Sequence, residues 1–148
     1  MPFDAEDLWP DDLLSLSIKS PKRILGDQVR FLNLRGGSVV QAEVKTQTSR
    51  STTHEFWLLC NMLSSRVLLF RVQHAPERVY PSHVNCIMWE DENAPSSEED
   101  WRIASSEQEL KSLIKDILTS PFVRSVVDSM QAQAADHIDS LSEEERAK

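Results

Sequence analysis

An α+β fold, with a four-stranded antiparallel meander, one helix before it and two after it packed on one face, is predicted by three features of this chain. The apolar period is about 3.6 residues up to Gly36-Gly37, about 2 through the middle of the chain, and about 3.6 again after Ser106. The gaps between the period-2 segments are short, whereas parallel pairing would need crossovers of about a dozen residues or more. Each helical segment also opens at a serine able to accept from the free N–H groups of a first turn.

In chain order, an acidic lead-in (1–12) runs into Leu13, Leu14, Leu16 and Ile18, an alternating apolar stretch that would make a fifth strand if it joined the sheet. Ser20-Pro21 then supplies a cap and a proline whose φ suits the first helical position. Leu25, Val29 and Leu32 follow at i, i+4 and i+7 with Ile24 beside them, and Gly36-Gly37 provides the left-handed stop that ends many helices. Gly26 weakens this helix by up to about 1 kcal/mol without reversing the pattern.

Val40, Ala42 and Val44 alternate with Gln41, Glu43 and Lys45, which predicts a strand with one wet face. The polar run 46–53 predicts a turn. Residues 54–60 predict a second strand with apolar residues on both faces, Phe56, Leu58 and Cys60 against Trp57 and Leu59. Ser64-Ser65 sets off a third strand over 66–73, and residues 75–78 set off a fourth over 79–89, in which Pro81 implies an edge or a bulge.

Residues 90–100 combine six acids with Asn93, Pro95, Ser96 and Ser97 and predict a solvated loop. Ser106 and Glu109 have the spacing of a capping box, opening a helix striped by Leu110, Leu113, Ile114 and Ile117. Ser120-Pro121 repeats the cap-and-proline start for a last helix carrying Val123, Val126, Val127 and Met130. Residues 136–148 lose periodicity and predict a frayed acidic tail. The expected organisation is the lead-in 1–12, one α+β domain over 13–135 that includes the acidic loop 90–100, and the tail 136–148.

A chain of 148 residues can bury a core without a disulfide or a metal. Cys60 and Cys86 sit in apolar stretches, as reduced, packed thiols do. The first residues are acidic where a secretory leader is basic, and no run approaches the roughly 18 apolar residues of a membrane span. The expectation is a cytoplasmic protein with no membrane partner and no cofactor. Its net charge of −8 is unevenly spread. Residues 1–12, 90–100 and 136–148 are strongly acidic, whereas residues 13–89 carry ten bases against Asp27, Glu43, Glu55 and Glu77. The sheet region is thus basic within an acidic chain.

Catalytic patterns are missing. There is no Gly-rich phosphate loop, no G-x-S-x-G and no H-E-x-x-H. His54, Cys60, His74, His83 and Cys86 lack the paired short spacings of a zinc site, and His83 and Cys86, three apart on one strand, face opposite ways. Glu43-Val44-Lys45 resembles the acid-x-Lys half of the restriction-endonuclease-like nuclease motif, which implies a metal-dependent nuclease with Glu43 on the metal and Lys45 on a phosphate. The acid that motif carries on the preceding strand has no counterpart, since Asp27 falls in the predicted helix.

A second alternative is single-stranded nucleic-acid binding, in which bases would stack on Phe56, Trp57, Phe70 and Tyr80 beside the arginines of the basic module. No RNP-like or helix-turn-helix signature accompanies those aromatics, so nucleic acid is disfavoured as a partner. The reading that remains is a non-catalytic protein-interaction module of adaptor, immunity or antitoxin type, or a self-associating homodimer. It rests on apolar residues on both faces of the central strands, of which the helices can cover one well and the other only partly. Trp57, Arg66, Arg71, Tyr80 and Trp89, residue types that anchor interfaces, are the expected contacts.

Overall fold

The computed structural model describes residues 5–14, 18–36, 39–89 and 101–146. Helix α1 (Pro21–Gly36) precedes strands β1 (Gln41–Thr48), β2 (Thr52–Cys60), β3 (Ser65–Ala75), β4 (Arg78–Cys86) and β5 (Arg102–Ala104), and α2 (Glu107–Leu118) and α3 (Pro121–Arg146) follow. The five strands form one antiparallel sheet in the order β1-β2-β3-β4-β5. This is the predicted α+β meander, and its fifth strand lies after the fourth. Leu13 and Leu14, expected in a strand, fall in a turn closed by the Leu13 N–H donating to the Pro10 carbonyl at 3.2 Å. Of the other residues in that expected strand, Ile18 sits in a bend and 15–17 lie outside the described residues, as does the expected loop 90–100.

Capping sets the helix starts. The Ser20 Oγ accepts from the Arg23 N–H, and the Ser106 Oγ accepts from the Glu109 N–H. Glu109 returns its carboxylate to the N–H of Ser105, one residue before the cap, so the box closes one residue wider than the usual reciprocal pattern. Ser120 links two helices: its buried hydroxyl donates to the Ile117 carbonyl at the end of α2 and accepts from the Val123 N–H at the start of α3. Ser120→Ala is therefore expected to lower unfolding free energy by about 1 kcal/mol, measured by urea denaturation against wild type. An unchanged midpoint would show that the hydroxyl is dispensable. Helix α3 continues to Arg146, and residues 135–139, just after the buried Ala134, are exposed.

Two strand ends differ from the sequence reading. The polar run 46–53 is largely strand, with Thr46 opposite His54 and Thr48 opposite Thr52, leaving only Ser49–Ser51 as the turn. β-branched threonines suit a pleated, half-exposed ladder despite their polarity. Strand β4 stops at Cys86, and residues 87–89 form a 3-10 turn. The cause lies in β3, where Phe56 pairs with Phe70 but Trp57 pairs with Leu68, leaving Leu69 as the extra residue of a bulge. Beyond the Phe70–Cys86 pair the ladder has no regular partner, and the Cys86 thiol donates to the Leu69 carbonyl instead. A second irregularity, between Gln73 and Ala75, lies opposite the stretch of β4 that holds Pro81, in agreement with the bulge that proline implied.

The bulge also fixes which residues face inward. Arg66 and Leu68 turn away from the helices on one side of it and Arg71 and Gln73 on the other, so Leu69 and Phe70 are both buried. With unbroken alternation Phe70 and Val72 would face outward and Arg71 inward. The core lies between this inner face and the helices, with Leu25, Phe56, Leu58, Leu69, Phe70, Val72, Val84, Leu110 and Ile117 almost wholly enclosed. Neither cysteine forms a disulfide, and both are buried there. Among the described residues no helix is long and apolar enough to cross a membrane.

Candidate functional site

The five expected contact residues are divided between two surfaces. Trp57, Arg66 and Arg71 lie on the helix-free face of the sheet, while Tyr80 and Trp89 pack against the core. On the helix-free face, Arg66 lies over the Trp57 ring with Cζ 4.9 Å from its centroid, and Lys45 lies at 5.6 Å. The indole N–H is sealed from solvent and has no acceptor among the described residues, so Trp57 offers no donor to an arriving partner. Arg71 pairs with Glu55 at 3.0 Å and Arg66 with Glu43 at 3.6 Å. The residues of the acid-x-Lys motif are thus engaged in cross-strand contacts, and both arginines of the face are paired with its acids. Among the described residues no three His, Cys, Asp or Glu side chains stand close enough to hold a metal ion.

Tyr80 has a structural task. Its hydroxyl donates to the Lys19 carbonyl at 2.8 Å, and burial followed by the Glu107 charge pushes its pKa up to about 12, so it stays a neutral donor at ordinary pH. The Lys19 N–H donates to Glu107 and the Lys19 ammonium reaches Asp27, both at 2.6 Å. Hydrogen bonding from Lys19 is the main influence lowering the Asp27 pKa, with Arg30 reinforcing it. The backbone just before α1 is therefore fastened on both sides. Trp89 is covered by Arg102, whose Cζ lies 3.9 Å from the ring centroid.

Two histidines considered as ligands do meet. His54 Nε2 and His74 Nε2 are 2.9 Å apart in the core, His54 Nδ1 is 2.9 Å from the Thr46 hydroxyl, and His74 Nδ1 is 2.8 Å from the Ala75 carbonyl. A carbonyl only accepts, so His74 Nδ1 donates and its Nε2 accepts. His54 Nε2 must then donate, and its Nδ1 accepts from Thr46. With one proton on each ring, the chain of bonds runs in one direction. Burial, then the His74 and Lys22 charges, lowers the His54 pKa to about 4.

A groove lies on the helical side. Helix α1 covers β1, α2 lies toward β4 and β5, and the two helices also touch each other. One part, about 490 Å³, lies between Ile24 and Phe31 of α1 and Ile114 and Leu118 of α2. An adjoining part, about 620 Å³, runs between Leu32 of α1 and Val123 and Val127 of α3, above the buried side chains of Phe56, Leu58 and Leu69. The parts share Gln28, Phe31, Leu118 and Thr119 and so form one channel. Its rim carries Lys19, Arg35, Lys111, Lys115 and Arg124 against Asp27 and Asp128. Arg35, Lys115 and Arg124 have no ion-pair partner among the described residues.

None of the groove residues was among the expected contacts. A signal was present in Ile24, Gln28, Phe31 and Arg35, spaced i, i+4, i+7 and i+11 along the flank of the main stripe of α1. Phe31 is 54% exposed, large for an aromatic on a helix that packs on a sheet. Comparison of the chain with protein-family models, with curated proteins and with solved structures gave no match.

Proposed function

We propose that this chain is a non-catalytic protein-interaction module that binds an acidic, amphipathic helical segment in the groove between α1 and the α2–α3 pair. The observation that carries this reading is the groove itself: an apolar channel whose rim keeps Arg35, Lys115 and Arg124 outside any ion pair among the described residues, against Asp128, in a chain of net charge −8. Apolar side chains repeating at i, i+3 or i+4 and i+7 would enter the channel as in other helix-in-groove contacts. Carboxylates on the flanks of the same segment would meet Arg35, Lys115 and Arg124. The helix-free face is a poorer candidate because its arginines already hold Glu43 and Glu55.

A direct titration tests this. Two labelled helical peptides with the same Leu/Trp stripe, one with glutamates elsewhere and one with lysines, are titrated with the full chain by fluorescence anisotropy. The acidic peptide is expected to bind and to weaken with added salt, since the rim charges are exposed. Phe31→Asp, at a position too exposed to be needed for folding, is expected to weaken it at least about tenfold, a loss of about 1.4 kcal/mol. Equal binding of both peptides, no binding of the acidic one, or indifference to Phe31→Asp would overturn the reading.

A further inference from the structure

We infer that the groove's occupant is the acidic arm that precedes α1, supplied by a second copy of this chain, so that two copies associate by exchanging arms. The inference rests on the proposed groove and names its partner. The arm presents large apolar side chains to solvent: Leu8 is 86% exposed, Trp9 73% and Leu14 96%. Exposed apolar clusters of this kind mark contact sites more often than isolated surface residues do.

The arm has the local form a groove would take. The Trp9 N–H donates to the Asp7 carboxylate at 3.0 Å, and the Leu13 N–H donates to the Pro10 carbonyl at 3.2 Å. A turn therefore runs over 11–14, and Trp9 and Leu13, spaced i and i+4, would share one face if it wound into a helix. Asp7, Asp11 and Asp12 flank them, within a segment, 1–12, that holds five acids and no base. Its charge is opposite to that of the groove's rim, and its apolar residues match the groove's lining in kind.

The second copy is favoured over the chain's own arm because residues 5–14 of the single chain hold Leu8, Trp9 and Leu14 in solvent. The arm leaves from the groove's mouth, since Lys19, which lines it, is tied through its N–H to Glu107 and through its carbonyl to Tyr80. Two copies placed mouth to mouth about a two-fold axis would each give an arm and receive one, a closed and self-complementary arrangement.

The test is sedimentation equilibrium of the full chain over a wide concentration range, with Trp9→Ala in the arm and Phe31→Asp in the groove. Wild type is expected to form dimers, and each variant to weaken dimerisation at least about tenfold. Trp9 is exposed, so its variant tests contact and not folding. An equimolar mixture of the two variants is expected to recover part of the association, because one intact arm then meets one intact groove. A chain that stays monomeric, a dimer that ignores Trp9→Ala, or a mixture no stronger than its components would overturn arm exchange. If the acidic helical peptide still bound the groove of a monomeric chain, the interaction-module reading would stand while arm exchange fell.

Discussion

Phe70→Ala is expected to lower unfolding free energy by about 3–5 kcal/mol, a large share of the roughly 5–15 kcal/mol that holds a domain together. Phe70 is 1% exposed and stacks on Phe56 with centroids 5.0 Å apart and planes 11° apart. The two rings are direct cross-strand partners beside the Leu69 bulge. Truncation would leave a cavity at the point where the bulge turns two consecutive residues inward, and a ladder already broken there can do little to close it. Phe70→Leu keeps most of the volume and is expected to cost under about 1.5 kcal/mol. Urea unfolding followed by circular dichroism gives both values. An alanine variant within 1 kcal/mol of wild type would mean that the ring pair is not central to the core.

Acid is expected to destabilise the fold through His54. This base has a native pKa of about 4 against an ordinary value of 6.5. Between those values the unfolded chain binds a proton that the native protein refuses, so stability falls as pH falls. The contribution is fully present above about pH 6.5 and would cost about 3 kcal/mol by the time pH 4 is passed. The structural reason is burial: a second proton on His54 would put a charge in a core site, beside His74 and Lys22. His54→Gln can still accept from Thr46 and donate toward His74 but does not titrate. Urea midpoints at pH 7 and pH 4.5 should show wild type losing about 2–3 kcal/mol more than the variant. Asp27 and Glu107, whose pKa values are lowered by ion pairing, also lose stability toward acid, and the difference between the two proteins removes that shared part. Equal losses in the two proteins would rule the histidine out.

The groove was less legible than the core. Residue types suited to interfaces were readable in Trp57, Arg66, Arg71, Tyr80 and Trp89, but composition does not say which are already engaged. Glu55 and Glu43 occupy two of the arginines, Lys19 takes the tyrosine hydroxyl, and Arg102 covers Trp89. All of these partners come from other elements. The groove depends on how far α1 and the α2–α3 pair stand apart, a distance set by side chains from three helices meeting five strands.

The sequence by itself determined the order of α1, β1 to β4, α2 and α3, the antiparallel sense of the meander and the helix starts, because period, turn length and a serine's reach to a nearby N–H are local properties of the backbone. Only the tertiary structure decided the bulge at Leu69, the meeting of His54 with His74, and the channel between the helices. Each of these follows from the register of one strand against another or from the spacing of packed helices, and residues far apart in the chain fix both together. The alternation that made β3 readable as a strand could not show that one extra residue turns Phe70 inward.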